Sequence, residues 1–506
     1  MTGGDLTVPH LVRSRLPGDG DRAALVVDGS RVLTCGQWWD GARRVATGLR
    51  GRGVRPGDRI GLVFDGTRPG DWVEHAVAVV GTYLTGATVV GLPAGIGPSE
   101  VAARLRRCGA TGVLHGAGVP TGGDDPGGPD WSGTPDEVSA DVTGPEPDAV
   151  PVGPGDVAEI IHTSGTTGRA KPVAVPHANL TYGHATGGRL PGAGPSVLAP
   201  VELGSNAGHS AILIALVGGS TVHVLTDLSA AAVADALTGT HAGTVILPAP
   251  LATRLVAADL LTGRPLDALG AVLLGSTMVP APVVAALGQY LPGARIVIGY
   301  GSTEAAPAGT QLVVGAGPVP AGSVGPPRPG TRIEIRDEAR QPLPAGVIGQ
   351  VWLRCDAPSR WYLDGDDGTF RDGWTRMGDL GLLDGDGALR LVDRAADGMV
   401  RDGRRIRGSA VEDALHAHPD VVDTAVVLVS DGPAARLVAG VETRRPVSPD
   451  ELRRFVADRL PPHEVPDVVV PVDALPRGGI GKVLKHRLRS DPALARAVAA
   501  DVVRRT

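Results

Sequence analysis

Between Ile160 and Lys171 an apolar run enters a cluster of small hydroxyl residues and glycines: Ile160-Ile161-His162-Thr163-Ser164-Gly165-Thr166-Thr167-Gly168-Arg169-Ala170-Lys171. Such a loop lets backbone N–H groups and hydroxyls close around phosphate oxygens, with an ammonium at its end. It is not a Walker A loop, because the spacing differs and Lys171 is followed by Pro172. On composition alone a cluster of this kind is an ordinary loop. The lysine changes that reading. Lysine and arginine together number 48, and Lys171, Lys482 and Lys485 are the only lysines. In a chain that uses arginine almost throughout, lysine is expected where a compact, flexible ammonium does what a guanidinium cannot. Lys482 ends a second glycine-rich loop, Arg477-Gly478-Gly479-Ile480-Gly481-Lys482. Lys485, in the run Lys485-His486-Arg487, reads as part of a solvated face.

Two further constellations offer carboxylates. Tyr300-Gly301-Ser302-Thr303-Glu304 follows an expected strand, Arg295 to Ile298, and ligands of open α/β sheets sit outside the carboxyl ends of strands. A carboxylate there, Glu304, suits a hard cation such as Mg²⁺ beside phosphates; the pentapeptide alone also reads as an ordinary turn after a core strand. Asp379 and Arg394 flank a hairpin marked by Asp384-Gly385-Asp386-Gly387. Antiparallel pairing brings the two ends together. The plainer alternative is a structural salt bridge.

Alternating strand and helix patterns from Ala24 to about Leu114, and again from Val157 to about Gly330, predict an α/β fold with mainly parallel sheets. Residues 116–156 hold nine acidic residues and no lysine or arginine. They read as a solvated, partly disordered acidic loop with one aromatic, Trp131. From Thr331 short strands and turns predict a β-rich subdomain. The last hundred or so residues predict a small α+β domain: helices Ser409 to His416 and Pro449 to Leu460, strands Thr424 to Val429 and Asp467 to Val472, and a final basic helix Val483 to Arg489.

Composition excludes other classes. The 506 residues are 42% hydrophobic, with 74 glycines and 44 prolines, which predicts a folded globular chain. A net charge of −6 gives no footprint for nucleic acid or an anionic membrane. Three scattered cysteines, Cys35, Cys108 and Cys355, form no disulfide framework or zinc site. The start lacks signal-peptide character, and the most apolar stretch, Ala76 to Leu92, is broken by glycines and threonines. A cytoplasmic protein is expected.

Thr163-Ser164-Gly165-Thr166-Thr167-Gly168-x-x-Lys171 resembles the phosphate-binding signature of the ANL superfamily: acyl-CoA synthetases, adenylation domains of nonribosomal peptide synthetases, and luciferases. The other motifs agree in order. Tyr300 to Glu304 resembles the Tyr-Gly-x-Thr-Glu element, Gly378-Asp379-Leu380-Gly381 the ribose-binding aspartate, Arg394 to Gly403 the hinge and its following loop, and Leu475 to Lys482 the catalytic-lysine loop. The resemblance spans essentially the whole chain. It implies a nucleotide-binding set of Thr163, Ser164, Gly165, Thr166, Thr167, Gly168, Lys171, Ser276, Thr277, Gly299, Tyr300, Gly301, Ser302, Asp379 and Arg394. Tyr300 would pack on adenine, and Asp379 and Arg394 would hold the ribose. Thr303 would contact the α-phosphate and Glu304 would bind Mg²⁺, both acting with Lys482 as the catalytic set. Lys482 would bridge the carboxylate and the α-phosphate, where a point charge with three donors suits a pentacovalent transition state. The implied organisation is an adenylate- and acyl-binding domain over 1–394, a hinge at 395–396 centred on Ala396, and a mobile catalytic-lysine domain over 397–506.

Several positions depart from the family pattern. His162 stands where an aromatic is usual, Met377 replaces a threonine, Asp393 replaces a glycine, and Ala396 replaces a charged hinge residue. In Pro200 to His209 small residues replace bulky ones, and Gly275-Ser276-Thr277 is small too. Leu203, Ser205, Asn206, Gly208 and Gly275 are the expected acyl contacts. They predict a roomy, mostly apolar pocket for a large aliphatic or polycyclic carboxylic acid, with no lysine or arginine for a second acidic group. The expected activity is an AMP-forming acid–thiol ligase that uses ATP and Mg²⁺ and passes the acyl group to CoA. Gly403, Arg404 and Arg405 would face the thiol channel, with Arg407 a further candidate for CoA phosphates. Three alternatives remain: a half-reaction enzyme served by a partner ligase, loading of a carrier-protein phosphopantetheine, and a non-catalytic nucleotide-binding protein.

Overall fold

The computed structural model describes residues 6–121, 128–140, 150–163, 170–184, 194–217, 219–315, 317–401, 403–429, 435–478 and 481–505, with side chains as far as residue 500. Among the described residues, two mainly parallel sheets carry the large domain. The first runs in space as Trp361–Tyr362, Lys171–Pro176, Val157–Thr163, Thr88–Gly91, Arg59–Val63, Gly112–His115 and Trp131–Gly133. The second begins at Thr310–Val313 and continues through Arg295–Tyr300, Ala271–Gly275, Thr244–Pro248, Ser196–Leu198, Thr221–Val224 and Ala23–Val27 to Arg31–Thr34. Antiparallel strands sit only at or near the edges of each.

Helices Cys35–Gly51, Pro69–Thr85 and Asn206–Val217 contribute to one large core with residues of both sheets. Local signals fix their limits. The first starts at a capping box between Thr34 and Gln37, which satisfies orphan N–H groups. The second has proline in its first turn and ends at Gly86 with φ 77°, a left-handed cap that glycine adopts without Cβ strain. Trp38, Trp72 and Tyr83 are fully buried there, and the Trp38 indole donates to the Ala76 carbonyl at 2.8 Å.

The β-rich subdomain is an antiparallel sheet of Ser323–Gly325, Leu389–Arg394, Trp374–Leu383, Gly349–Cys355 and Thr331–Arg336, with Phe370–Arg371 paired to Trp374–Leu383. The small domain packs helices Gly408–His416 and Pro449–Ala457 on a sheet of Val421–Val429, Arg436–Thr443 and Val468–Pro471. Between the two lie a single turn, Ala395–Asp397, and the hairpin Met399–Arg401 with Arg404–Ile406.

The sequence reading needs correction in two places. Residues 116–156 are not wholly loop: Trp131–Gly133 extends the first sheet and Pro135–Ser139 is helical. Trp131 anchors this segment, with Arg52 5.8 Å over its ring. A Cβ at Gly112 would fall 2.2 Å from the indole, so only glycine admits it. Residues 122–127 and 141–149 lie outside the described residues. The basic helix Lys485–Arg489 is also not the last, because Pro492–Arg505 follows it.

Candidate active site

Asp379 and Arg394 occupy directly paired positions on the neighbouring strands Trp374–Leu383 and Leu389–Arg394, so the hairpin brings them together as expected. Arg394 Nε lies 3.1 Å from Asp379 Oδ1, and the Tyr300 hydroxyl donates to Asp379 Oδ2 at 2.6 Å. Tyr300 ends the strand Arg295–Tyr300, so the carboxyl end of that strand delivers it to the hairpin. Burial pushes the Asp379 carboxyl up, and Arg394 and the Tyr300 hydroxyl oppose that. Burial and the Asp379 charge hold the Tyr300 hydroxyl un-ionised.

Lys482 faces the same pair. Burial and the Arg394 charge lower its ammonium, while Asp379 and Asp397 pull it back up. Its loop is docked on the large domain, since a Cβ at Gly481 would lie 3.1 Å from Pro250. Other contacts hold the same arrangement. Asp413 of the small-domain helix accepts from the Ala281 N–H at the start of helix Ala281–Tyr290, at 3.1 Å, and Arg444 Nε donates to the Ala257 carbonyl at 2.8 Å.

On the other side, the Tyr362 hydroxyl donates to Glu304 Oε1 at 3.0 Å. Lys171 Nζ stands 4.7 Å over the Tyr362 ring and is ion-paired with Asp367. Arg360, 7% exposed, donates from Nε to Asn179 Oδ1 at 2.9 Å and from Nη1 to the Thr303 carbonyl at 2.8 Å. Asn179 Nδ2 in turn donates to the carbonyls of Ala306 and Pro358. The segment that carries Thr303 and Glu304 is thereby tied to strand Lys171–Pro176 through Tyr362. Burial lowers the Arg360 guanidinium to about 10, with Glu159 and Glu304 opposing.

Sequence reasoning missed Arg360, Tyr362, Asp367 and Asn179. One signal was available, and it was the scarcity argument already applied to lysine. The chain has five tyrosines, and two of them, Tyr300 and Tyr362, donate to the candidate-site carboxylates Asp379 and Glu304.

Lys485 is not on a solvated face. Its ammonium lies 2.9 Å from Glu412 Oε1 and 3.5 Å from Asp393 Oδ1, with its side chain 16% exposed. Burial alone would lower it, but Glu412 and Asp393 outweigh that and hold it above the ordinary lysine value. Arg407 makes a two-pronged ion pair with Glu464, at 2.7 Å through both Nε and Nη2. Arg404 and Arg405 are exposed beside Gly403, which has φ 72°. Ala396 lies in the turn Ala395–Asp397.

Of the phosphate loop, Ser164, Gly165, Thr166, Thr167, Gly168 and Arg169 lie outside the described residues. At its entrance Thr163 Oγ1 is buried without a hydrogen-bond partner among the described residues. His162 points to the opposite face of the strand, with Nδ1 3.0 Å from the Gly91 carbonyl and burial lowering it to about 4. It is a neutral core imidazole. Ser276 adopts φ 73° after strand Ala271–Gly275, next to Thr277, and a Cβ at Gly275 would lie 3.2 Å from the Gly299 carbonyl oxygen. Ser302 Oγ accepts from the Ala305 N–H at 3.2 Å, closing the turn after Gly301.

The candidate acyl segment precedes and opens helix Asn206–Val217. Leu203 is 2% exposed. Ser205 Oγ donates to the Glu202 carbonyl at 2.6 Å and accepts from the Gly208 N–H at 3.0 Å, so its hydroxyl is committed to capping the helix. A Cβ at Gly208 would fall 2.3 Å from the Glu202 carbonyl oxygen, which accounts for the glycine by chain packing.

Among the described residues no group of three or more His, Cys, Asp or Glu could hold a metal ion. A lone carboxylate such as Glu304 fits Mg²⁺ that takes its remaining ligands from nucleotide phosphates and water. The unpartnered Thr163 hydroxyl and the Lys171 ammonium are the donor types that such phosphates need. No helix among the described residues is long and apolar enough to cross a membrane.

Comparison with known proteins agrees with this geometry. Residues 13–363 match the family described as AMP-binding enzyme, and residues 410–482 match the AMP-binding enzyme C-terminal domain. A feruloyl-CoA synthase of Amycolatopsis sp is 29% identical over 498 residues, covering 92% of this chain and 95% of that protein. A benzoate CoA ligase structure from Burkholderia xenovorans superposes with a TM-score of 0.81 at 25% identity, covering 96% of this chain and 100% of that one. The O-succinylbenzoate coenzyme A synthetase of Bacillus subtilis in complex with ATP and magnesium ion shares the fold, with a TM-score of 0.80 at 23% identity over 95% of this chain and 99% of that one. With both family regions in order along the chain and the fold retained throughout, this protein belongs to the AMP-binding, adenylate-forming ANL superfamily and is an enzyme of the AMP-forming acyl-CoA ligase type.

Proposed function

We propose that this enzyme activates a bulky carboxylic acid, an aromatic one in keeping with the feruloyl and benzoate specificities named for its relatives, as an acyl-adenylate and transfers it to CoA. The acid's carboxylate attacks the α-phosphorus of ATP, pyrophosphate leaves, and the thiol of CoA then displaces AMP. The mixed anhydride makes the carbonyl electrophilic, so the protein's task is orientation and charge stabilisation. Asp379 accepts from the ribose hydroxyls and Arg394 donates to the same sugar, while Tyr300 covers the base. Thr163 and Lys171 receive the phosphates, and Thr303 contacts the α-phosphate. Lys482 donates to the oxygens between which charge moves. Mg²⁺ held by Glu304 neutralises triphosphate charge when bound. For the second step the small domain turns about Ala396 and brings the Gly403, Arg404 and Arg405 hairpin to the thiol channel.

The observation that supports this most is that two of the three lysines stand at neighbouring site carboxylates, with Asp379 in the field of both Lys482 and Glu304. Lys482 faces the Asp379–Arg394 pair, and Lys171 is joined through Tyr362 to Glu304. ATP–pyrophosphate exchange over a panel of aromatic, long aliphatic and short acids tests the reading, followed by CoA-dependent AMP release with the best acid. Exchange is expected with bulky aromatic acids and not with acetate. Exchange fastest with acetate or propionate, or exchange with no acid, contradicts it.

A further inference from the structure

Beneath the candidate acyl segment the large core contains a glutamate–histidine contact. Glu159 and His209 are 3% and 8% exposed, and His209 Nδ1 lies 2.5 Å from Glu159 Oε1. Their other heteroatoms, Glu159 Oε2 and His209 Nε2, are buried with no hydrogen-bond partner among the described residues. Tyr83, 0% exposed, turns its hydroxyl to the Glu159 carboxyl, and burial together with that neighbour keeps the hydroxyl un-ionised. His75 and Arg360 border the cluster, facing His209 and Glu159 respectively. Buried polar atoms in native proteins are satisfied, and the two open atoms, Glu159 Oε2 and His209 Nε2, call for a partner that binds there. A carboxylate and an imidazole in an apolar core are also costly, and apolar residues of like volume would cost less unless the pair has a use.

Placement says what the partner is. Glu159, Ile161 and Thr163 alternate onto one face of the strand Val157–Thr163. Thr163 stands at the phosphate loop, Ile161 is buried and apolar, and Glu159 is four residues, about 13 Å, further along. That length accommodates one aromatic acid laid along the strand, with its carboxyl toward the loop and its far substituent at Glu159. His209 comes one residue after Gly208 on the helix that the acyl segment opens. A carboxylate oxygen with open lone pairs only accepts, so the substituent must donate.

We propose that Glu159 and His209, with the Tyr83 hydroxyl beside them, form a polar end to the acyl-binding site that takes a hydrogen-bond-donating substituent, a hydroxyl or an amino group, at the far end of the acid. This rests on the ligase reading above and narrows it: the pocket is not apolar throughout, and acids with a second carboxylate are disfavoured by the charge of Glu159. Oε2 accepts from the substituent, and His209, held by its Nδ1 contact, presents Nε2 to the same group.

The test is ATP–pyrophosphate exchange with para-hydroxycinnamic, para-aminocinnamic and para-methylcinnamic acids and the matching benzoic acids. The methyl group keeps the size and removes the donor. The wild-type enzyme is expected to favour the hydroxy or amino acid over its methyl counterpart by at least about tenfold in kcat/KM, and the two arms show which donor fits. In the Glu159→Leu/His209→Leu variant, which removes both partners together, that preference is expected to vanish or invert. Glu159→Gln, which keeps the side-chain volume, is expected to reduce it and carries the test if the double variant melts early. A wild-type enzyme without the preference, or variants that keep it unchanged, overturns the proposal and leaves the ligase reading standing. Absence of exchange with every acid overturns both.

Discussion

The hydroxyl of Tyr362 donates to Glu304 at 3.0 Å, and the same ring lies under the Lys171 ammonium. One side chain thus links the end of the phosphate loop to the candidate metal carboxylate, although Lys171 and Glu304 are far apart in the chain. Tyr362 fills this role because Trp361–Tyr362 pairs at the edge of the first sheet with Val173 and Ala174 of strand Lys171–Pro176.

Tyr362→Phe keeps the ring beneath Lys171 and removes the hydrogen bond to Glu304. A hydrogen bond to a charged group contributes about 1.5–3 kcal/mol. The variant is expected to raise the KM for MgATP roughly tenfold and to lower the melting temperature modestly, by about a few degrees. Steady-state kinetics with varied MgATP check this, and an unchanged KM would remove Tyr362 from the site.

Arg360→Met leaves the Thr303 carbonyl and the Asn179 amide oxygen without their donor inside the protein. Breaking a buried charge network by removing one partner costs on the order of 3 kcal/mol. Lower thermal stability and weakened nucleotide binding are expected together, from melting with and without ATP. A loss of stability without any loss of ATP protection would make Arg360 purely structural.

Lys485→Met separates the buried ion pair seen here from a solvated lysine. Glu412 and Asp393 would be left facing each other without a cation. The expected loss is about 3 kcal/mol in denaturant unfolding, where a solvated lysine would change stability by less than about 0.5 kcal/mol.

Burial raises Asp413 from 3.8 to about 6. A carboxyl raised in the folded state stabilises that state in full below the ordinary carboxylate value, and the contribution is lost as pH rises through about 6. Asp413→Asn keeps an acceptor for the Ala281 N–H and cannot ionise. Its advantage over wild type is expected to be small near pH 4, to grow up to about pH 6 and then to level off at up to about 3 kcal/mol. Melting curves from pH 4 to 8 check this, and a difference that does not vary with pH would contradict it.

Much of this was legible in the sequence. The turn Asp384 to Gly387 fixed the hairpin that pairs Asp379 with Arg394, because register follows from a short turn. The β-rich subdomain and the small domain followed from strand and turn patterns. Contacts between distant segments were not legible. Arg360 comes near Glu159 only because the chain before Trp361–Tyr362 returns to the sheet that carries Val157–Thr163, and no local period encodes that. Lys485 lies in a run of basic residues that looks solvated until Glu412 and Asp393 arrive from other elements. The acidic stretch misled for the opposite reason: its charge outweighed the one aromatic in it, Trp131, whose strand extends the sheet.

The account depends on Lys482 acting on the same nucleotide as Lys171 and Glu304. The most direct measurement is ATP–pyrophosphate exchange by Lys482→Ala with the best acid, alongside thioester formation from a chemically made acyl-adenylate and CoA. Exchange is expected to fall by about 100-fold or more, while the preformed adenylate is still converted to the thioester. Exchange at the wild-type rate in Lys482→Ala would contradict the account.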